Sequence, residues 1–372
     1  MKITVAGAGI GGLSAAIALA RNGHAVRVAE QADEIGEVGA GIQISPNGMH
    51  VIKALGLEDA LAEVSIKSHE VRLVDGLKDR AVMTLDVGRL ASDLDWRLVH
   101  RARLIELLID AAMAAGVTLE TGRTIDPPTD GAALDGDDLL IGGDGLKSRV
   151  REAINGARRP FFTGQVAWRA LIPGDGPPCV EVHMGPKRHV VSYPLKGGLR
   201  NIVAVEERDT WASEDWTQED DPDTMRRAFK DFGPRVRNWL RDVERCHLWG
   251  LFRHPVAQDW HAGQQVILGD AAHPTLPFLA QGANLALEDA WVLAAALRNG
   301  GDDVFSAYQK RRRDRVIRVV DAATTNSGIY HLSSPPVRLI AHTGMRAMDR
   351  LAPARALKRF DWLYRHDVTG HV

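Results

Sequence analysis

Residues 1–30 read MKITVAGAGIGGLSAAIALARNGHAVRVAE, and this stretch decides the fold. An apolar run at 3–6 ends at a glycine-rich turn, an Ala/Leu-rich segment at 13–20 follows, and a second apolar run at 25–29 ends at Glu30. A strand, a glycine turn, a helix and a second strand within about 30 residues have the size of a βαβ unit. The sequence therefore predicts a parallel α/β sheet that begins at the N-terminus.

The glycine turn has the spacing G-x-G-x-x-G, at Gly7, Gly9 and Gly12. The first glycine permits a tight turn, the second lets the backbone approach a pyrophosphate, and the third lets helix and strand pack closely. The N-terminus of the helix offers free N–H groups to the phosphates. Glu30 follows at the end of the second strand, where it can bind a ribose diol and repel a 2′-phosphate. This pattern predicts a site for NAD or FAD and not for NADP.

The composition excludes several classes of protein. The 372 residues are 45% hydrophobic and 25% charged, as in ordinary globular proteins, and the net charge of -2 makes a nucleic-acid partner unexpected. Two cysteines are too few for a disulfide framework, and the 14 histidines lack convincing ligand spacing, so we predict no metal site. We see no signal peptide and no transmembrane run, and we therefore expect a cytoplasmic, soluble protein.

Strand and helix patterns continue along the chain and suggest three parts. Helices are predicted at about 48–55, 101–115, 224–240 and 284–297, and buried strands at 139–141 and 266–268. The pattern also predicts alternating β-like blocks at 65–95 and 166–206, a loop at 36–47 and an acidic stretch at 214–223.

We predict a nucleotide-binding domain from residues 1–70, 98–165 and 257–330, with a β-sheet substrate domain inserted as 71–97 and 166–256. A helical segment at 331–372 completes the chain.

The C-terminal region is basic, because residues 307–372 contain 13 Lys and Arg against 5 acidic residues. This charge fits a membrane-surface or partner face. It equally fits a solvated helical cap whose apolar residues Leu351, Leu357, Phe360 and Leu363 pack on the body.

Two further motifs follow buried strands. They are GDGLKSRVR at 143–151 and GDAAHP at 269–274, and each places an aspartate, Asp144 or Asp270, at the carboxyl end of a predicted parallel strand. Ligands of α/β sheets bind at such ends, so each carboxylate could bond ligand hydroxyls. Each could equally be a helix N-cap.

Taken together, the motifs at 7–12, 143–151 and 269–274 resemble, in order and spacing, those of the FAD-dependent aromatic hydroxylases, the p-hydroxybenzoate hydroxylase-type class A flavoprotein monooxygenases. The resemblance covers roughly residues 1–330. The phrases HRARLIELL, YPLKGG and GDAAHPTLPFLAQGANLALEDA are similar to the salicylate hydroxylase and 3-hydroxybenzoate 6-hydroxylase branches. The resemblance implies an α/β fold with a Rossmann-like FAD-binding domain of the glutathione-reductase type, an inserted β-sheet substrate domain and a C-terminal helical segment.

The resemblance also implies roles for individual residues. Glu30 would bind the adenosine ribose, Arg101 would contact FAD, and Asp270 would hold the ribityl chain. Asp144 is associated with both FAD and NAD(P)H binding. Pro274 and the turn Gly282-Ala283-Asn284 would lie against the isoalloxazine ring.

Candidate substrate contacts lie on the strand-like run RHVVSY at 188–193. Because side chains alternate along a strand, His189 and Tyr193 share a face. A histidine near neutrality can accept a phenolic proton, and the resemblance implies that a histidine here faces the substrate. An exposed histidine, or one satisfied within the core, is the alternative. With Pro274 these two residues form our predicted catalytic set, and His183, Trp168 and Arg169 are further pocket candidates.

The function implied by the resemblance is FAD-dependent monooxygenation. NADH or NADPH, as a transient co-substrate, reduces the flavin, dioxygen gives a C4a-hydroperoxide, and one oxygen atom enters a phenolic or heteroaromatic small molecule. The apolar run at 276–279 could exclude water from that site or be plain core. Rival hypotheses are a flavin monooxygenase of a non-aromatic or polycyclic substrate and a non-catalytic FAD-binding redox protein. The sequence leaves open the substrate and the choice between monomer and homodimer.

Overall fold

The computed structural model describes residues 1–35, 40–210, 218–301 and 303–370. Its strands are β1 (Lys2–Ala6), β2 (Ala25–Ala29), β3 (Gly41–Ile44), β4 (Ser65–Lys67), β5 (Glu70–Asp75), β6 (Arg80–Asp86), β7 (Arg97–His100), β8 (Thr118–Glu120), β9 (Leu139–Gly142), β10 (Phe161–Pro173), β11 (Cys179–Gly185), β12 (Arg188–Leu195), β13 (Leu199–Glu207), β14 (Glu219–Asp220), β15 (Cys246–Arg253), β16 (His261–Ala262) and β17 (Gln265–Ile267).

The helices are α1 (Ile10–Arg21), α2 (Pro46–Ala54), α3 (Glu58–Val64), α4 (Val87–Leu90), α5 (Arg101–Ala114), α6 (Arg149–Asn155), α7 (Pro222–Ala228), α8 (Pro234–Arg241), α9 (Gly282–Asn299), α10 (Val304–Tyr330), α11 (Pro335–Leu351), α12 (Pro353–Lys358) and α13 (Asp361–Tyr364). Short 3-10 turns lie at Gly269–Ala271 and Pro277–Leu279.

Sheet A has the strand order β16-β17-β9-β1-β2-β8 and carries the predicted βαβ unit, which is confirmed as β1, α1 and β2. Strand β1 pairs in parallel with β2 on one side and with β9 on the other, and β17 continues the parallel pairing beyond β9. The strand order therefore reverses at β1. In such sheets ligands bind in the crevice outside the carboxyl ends of the strands, at the reversal point.

Sheet B has the order β14-β15-β10-β13-β12-β11-β5-β6 and is antiparallel except where β11 meets β5. One face packs against α7 and α8 in an apolar cluster that includes Trp168 and Phe229. The other face packs against residues of the 276–279 segment, among them Leu276 and Phe278. Sheet C, in the order β3-β7-β4, contacts β12 and β13.

The strands of sheet B come from residues 70–86 and 161–253, and sheets A and C come from the remaining segments. This separation follows the discontinuous arrangement that the sequence suggests. The domain boundaries themselves, at 70/71, 97/98, 165/166 and 256/257, stay a prediction.

Two predicted elements differ from the structure. Residues 41–44 of the predicted loop form β3, because β7 supplies an antiparallel partner from 56 residues downstream that the local pattern does not reveal. The predicted helix at 224–240 is two helices, since Pro234 lacks the N–H that a continuous helix needs and instead begins α8. Residues 36–39 of the loop and 214–217 of the acidic stretch lie outside the described residues.

The C-terminal helices pack on the body as a cap, with Leu357 and Leu363 buried and Phe360 half-buried. The same prediction for Leu351 is wrong, because its side chain is 85% exposed. Helix α11 turns its His342 side inward, and Leu351 lies on the opposite, solvent-facing stripe.

Helix α9 is anchored by two buried carboxylates. Asp289 accepts hydrogen bonds from the backbone N–H of Gly269 at 2.9 Å, from His273 Nε2 at 2.5 Å and from Arg312 Nε at 2.7 Å. Glu288, next to it, pairs with Arg312 at 2.6 Å and with Arg315 at 2.7 Å. Because these bonds join the turn after β17, α9 and α10, they fix the three elements relative to one another.

Burial alone would raise the pKa of these carboxyls, but their partners reverse that effect. The charge of Arg312 and the hydrogen bonds from Arg315 and Asn47 lower the pKa of Glu288 to about 2. The charges of His273 and Arg312 lower the pKa of Asp289 to about 2. Both groups are therefore ionised at neutral pH. Their ionisation stabilises the fold at pH values above the ordinary carboxyl pKa of about 4, and this stabilisation is lost as the pH falls toward 2.

We expect Asp289→Asn to lower the free energy of unfolding by about 3–5 kcal/mol at pH 7, because it leaves buried Arg312 with one fewer charge partner. The wild-type protein should lose stability as the pH falls from about 5 toward 2, and the variant should lose less over that interval. Urea unfolding at several pH values measures both effects. The control Asp314→Asn, an exposed carboxylate on α10, should change stability by less than about 0.5 kcal/mol. Wild-type stability and pH dependence in Asp289→Asn would contradict this role.

Candidate active site

The glycine turns after β1 and β9 pack directly against each other. Gly7 has φ +99°, and a Cβ on it would lie 2.5 Å from the carbonyl oxygen of Gly143. A Cβ on Gly12 would lie 2.1 Å from the carbonyl oxygen of Gly7. Only glycine fits at these two positions, so the first and second sequence motifs meet at the reversal point of sheet A.

Gly9 differs from its neighbours, because a Cβ there would meet no atom of the described residues within 4 Å. Helix α1 begins directly after Gly9 without a side-chain cap and without an acidic residue in its first turn. The first N–H groups of the helix and its positive dipole end are therefore available to an anion. This open cradle fits the pyrophosphate of a dinucleotide.

Glu30 is held rigidly at the end of β2. Its Oε2 accepts from the backbone N–H of Ala8 at 2.8 Å, and its Oε1 accepts from the N–H of Ala32 at 3.0 Å. The side chain remains partly exposed, and a carboxylate oxygen can accept more than one hydrogen bond. This geometry fits the predicted bond to ribose hydroxyls, which stays a prediction.

The two motif aspartates have different surroundings. Asp144 is bonded to the start of α6, since it accepts from Ser148 Oγ at 2.5 Å and from the N–H of Arg149 at 2.8 Å, while Ser148 is the N-cap. Asp270 has no hydrogen-bond donor within the described part of the chain, and its side chain is exposed. Surrounding protein nevertheless raises the pKa of Asp270, against the charges of His273 and Arg101. The Asp270 carboxylate is thus exposed to solvent and yet has protein on most sides, as a residue on the floor of a cleft does.

Two arginines share the cleft with Asp270. Burial lowers the pKa of Arg101 to about 10, and the charge of Arg169 adds to that shift while Asp270 opposes it. Arg169 projects from β10 with its guanidinium carbon 4.2 Å from the ring centre of Trp249. Two guanidinium groups near one carboxylate make this part of the cleft attractive to an anionic ligand.

The turn that begins α9 borders the same region. The helix starts at Gly282 without a side-chain cap, so the N–H groups at Gly282 and Ala283 are available. The Asn284 side chain is engaged within the protein, because its Oδ1 accepts from the N–H of Ser45 at 2.9 Å and its Nδ2 donates to two backbone carbonyls. The predicted contact of Asn284 with the isoalloxazine ring stays a prediction. Pro274 is buried just before this turn, and its predicted ring contact stays a prediction.

His189 and Tyr193 lie on the face of sheet B that meets the 276–279 segment, as strand alternation predicts. The His189 ring packs 5.3 Å from the ring of Phe278. The Tyr193 ring lies so close to Gly41 that a Cβ there would be 2.6 Å away, and burial raises the pKa of its phenol. Tyr193 is therefore a neutral hydrogen-bond donor at the junction of sheets B and C.

The prediction that His183 and Trp168 line the same pocket is wrong. The His183 ring packs 5.2 Å from Trp239 of α8, and Trp168 packs 6.0 Å from Phe229. Both side chains lie on the opposite face of sheet B, because each is one residue out of phase with the inward-facing positions of its strand. Arg169, the third candidate, does face the cleft.

Comparison with known proteins identifies the family. Residues 1–323 match the family model described as FAD binding domain. The chain is 32% identical over 393 residues to a 3-hydroxybenzoate 6-hydroxylase of Polaromonas naphthalenivorans (strain CJ2), covering 99% of this chain and 96% of the relative. It belongs to the FAD-binding-domain family of FAD-dependent aromatic hydroxylases.

Two further comparisons agree with this membership. A 6-hydroxynicotinate 3-monooxygenase of Pseudomonas fluorescens is 32% identical, with 90% of this chain and 93% of the relative covered. The structure of HpxO from Klebsiella pneumoniae, complexed with FAD and uric acid, superposes with a TM-score of 0.82 at 25% identity, covering 96% of this chain and 95% of HpxO. The chain is therefore an FAD-dependent monooxygenase with NAD(P)H as co-substrate, and the predicted cofactor and fold class are confirmed.

The described residues contain neither a membrane-spanning helix nor a cluster of metal ligands. No helix in the ranges 1–35, 40–210, 218–301 and 303–370 combines the length and apolarity needed to cross a bilayer. Across the same ranges, no three His, Cys, Asp or Glu side chains group in a way that could hold a metal ion.

Gly9 and Gly12 should respond oppositely to alanine. We expect Gly9→Ala to fold with wild-type stability but to bind FAD more weakly, because its methyl group enters only the cofactor cradle. Gly12→Ala should destabilise the apoprotein itself, because its methyl group collides with Gly7. Thermal unfolding of the apoprotein and calorimetric titration with FAD separate the two effects.

The control for this pair is Gly344→Ala on α11, where an added Cβ also meets no atom within 4 Å. It should leave FAD affinity unchanged. Equal FAD affinity in Gly9→Ala and wild type would show that the open space at Gly9 is not the cofactor cradle.

Proposed function

We propose that this enzyme hydroxylates a small aromatic acid that carries a phenolic or heteroaromatic hydroxyl group. The observation that carries the proposal is that the buried, neutral His189 and the arginine Arg169 lie on the same face of sheet B. Burial, reinforced by the neighbouring imidazole of His331, holds the pKa of His189 well below its ordinary value. A neutral imidazole can accept a phenolic proton, and the guanidinium of Arg169 can pair with a carboxylate.

The chain's own residues divide the work of binding the cofactor. Gly9 and the N-terminus of α1 would hold the pyrophosphate, Glu30 the adenosine ribose, and Asp270 the hydroxyl-bearing chain of the flavin. The N–H groups at the start of α9 would stabilise negative charge on the reduced ring, an effect worth about 0.3–1 kcal/mol. FAD, when bound, accepts a hydride from NAD(P)H and activates dioxygen for insertion into an aromatic ring.

The remaining groups would act on the substrate. His189 removes the phenolic proton, which makes the ring electron-rich and open to electrophilic attack. Tyr193, held neutral by burial, donates a hydrogen bond. The buried Leu276 and Phe278 exclude water from the reacting atoms. With Pro274 against the flavin, His189 and Tyr193 remain our proposed catalytic set.

The names of the relatives support this substrate class. 3-Hydroxybenzoate and 6-hydroxynicotinate each combine a ring hydroxyl with a carboxylate. The excess of positive charge from Arg101 and Arg169 over Asp270 favours such an acid over an uncharged or polycyclic substrate.

Location and assembly belong to the same proposal. We place the enzyme in the cytoplasm, which supplies NAD(P)H and keeps thiols reduced, as are the buried free Cys179 and Cys246. We propose a monomer or a homodimer. The exposed apolar stripe of α11, with Ile340 73% and Leu351 85% exposed, is the surface that a homodimer would cover.

Asp270→Asn should weaken FAD binding roughly ten- to a hundredfold, because the loss of a charge-assisted hydrogen bond costs about 1.5–3 kcal/mol. The fold should be unaffected, since Asp270 bonds to no donor among the described residues. Calorimetric titration of the apoprotein with FAD measures the change. Asp110→Asn, an exposed carboxylate on α5, is the matched control. Unchanged affinity in Asp270→Asn would remove this carboxylate from the cofactor site.

The substrate class is tested by stopped-flow reduction of the bound flavin with NADH and NADPH. Salicylate, 3-hydroxybenzoate, 6-hydroxynicotinate and uric acid are compared with benzoate, which has the carboxylate but no hydroxyl. We expect at least one hydroxylated acid to accelerate reduction and to be hydroxylated. Acceleration by uric acid alone would overturn the assignment to an aromatic acid.

A further inference from the structure

His189 is the inner end of a hydrogen-bonded chain of three titratable side chains. Its Nδ1 lies 2.6 Å from Nε2 of His331, and Nδ1 of His331 lies 2.8 Å from Oε1 of Glu207. Both imidazoles are almost completely buried, whereas the Glu207 side chain is 36% exposed. The chain therefore connects the inner face of sheet B to solvent.

Three separate elements build this path. His189 is on β12, Glu207 is the last residue of β13, and His331 directly follows α10. The backbone also holds His331 in place, since its carbonyl oxygen accepts from the N–H of Lys187 at 3.1 Å. Glu207 opens into a surface cleft of about 550 Å³ that Lys187, Arg208 and Asp209 also line.

We propose that His189, His331 and Glu207 form a proton relay that carries the substrate's hydroxyl proton to the surface cleft. The proposal rests on the proposed function of His189 as the group that accepts that proton. His331 and Glu207 do not touch the substrate and act only through His189.

The hydrogen bonds define the direction of transfer. Both bonds are satisfied when each imidazole donates through Nδ1–H and accepts at Nε2, and Nε2 of His189 has no partner among the described residues. As the substrate O–H bond breaks, its proton forms a bond to His189 Nε2. The Nδ1 proton of His189 moves to His331 Nε2, and the Nδ1 proton of His331 moves to Glu207. Glu207 then releases a proton to water.

The same path resets itself. The hydroxylated product takes up one proton before it leaves as a neutral phenol. That proton enters at Glu207, and the three transfers run in reverse, which restores the starting tautomer of both imidazoles. No oxidant or reductant is involved in either direction.

The surroundings keep both imidazoles neutral, as a relay requires. Burial lowers the pKa of His331, against the opposing effect of the hydrogen bond that it donates to Glu207. Tyr330 packs 5.3 Å from His189 and stays protonated, because burial raises its pKa to about 12. Around Glu207 the charged groups are Lys187, Arg208 with its partner Glu206, and Asp209.

The test compares four variants of the FAD-loaded enzyme: His189→Ala, His331→Gln, Glu207→Gln and the control Asp209→Asn, a carboxylate in the same cleft outside the relay. The probe is 3-hydroxybenzoate, with salicylate and 6-hydroxynicotinate run in parallel. Two quantities are measured from pH 6 to 10: the rate of coupled hydroxylation, and the proton released on mixing with the probe, followed with an indicator dye in weak buffer.

We expect His189→Ala to slow hydroxylation roughly 10²–10⁴-fold at pH 7. Glu207→Gln and His331→Gln should slow hydroxylation and proton release roughly tenfold or more, with recovery as the pH approaches the phenolic pKa of about 10. Asp209→Asn should match the wild type. A merely structural bond between α10 and sheet B would lower activity equally at every pH and would leave proton release unchanged.

The outcomes separate this proposal from the function it rests on. Loss in His189→Ala with wild-type pH profiles in both Glu207→Gln and His331→Gln overturns the relay but leaves His189 as the proton acceptor. An equal loss in Asp209→Asn also overturns the relay, since it points to the general charge of the cleft. Wild-type hydroxylation in His189→Ala, or no hydroxylation of any probe by the wild type, overturns the proposed function itself.

Discussion

The buried carboxylate of Asp289 is the interaction on which the rest of the structure depends. It binds the backbone of Gly269, the ring of His273 and the guanidinium of Arg312, and so holds together the turn after β17, helix α9 and helix α10. The turn carries the exposed Asp270, and the start of α9 presents free N–H groups to the same cleft. Because α10 ends just before His331, the same anchor also determines where the second imidazole meets His189.

A second constraint is the separation of the two faces of sheet B. The outer face is covered by α7 and α8, and its histidine, His183, is used in packing and in a bond to Glu181. The inner face carries His189, which packs against Phe278, together with Tyr193 and Arg169. The registers of β11 and β12 thus decide that His183 lies on the outer face and His189 on the inner face, because a shift of one residue would move either side chain to the other face.

The sequence predicts what depends on local pattern. The βαβ unit, helix α5 and helix α9 are confirmed within a few residues, because apolar periodicity and glycine spacing determine such elements. The glycine motif and the two later motifs meet at the carboxyl ends of β1, β9 and β17, as the rule for ligand sites in parallel sheets predicts. Gly7 and Gly12 even show the close contacts that explain why those positions are glycine.

The sequence does not predict what depends on distant partners. His331 lies 142 residues from His189, and no local signal marks it as a partner. The pairing of Arg312 with Glu288 and Asp289 is likewise a contact between two helices whose arginine-rich and acidic residues look solvent-exposed in the sequence. The hydrogen bonds of Asp144 to the start of α6 are likewise visible only in the structure, and its predicted contact with the cofactors stays a prediction.

The fate of dioxygen is the most direct test of monooxygenation by this enzyme. The FAD-loaded enzyme is supplied with NAD(P)H, an aromatic acid that accelerates flavin reduction, and ¹⁸O₂, and the product is examined by mass spectrometry. We predict one ¹⁸O atom in each molecule of hydroxylated product, with one NAD(P)H consumed per product. Oxidation of NAD(P)H with the aromatic acid recovered unchanged, or a product whose new oxygen comes from water, would contradict it.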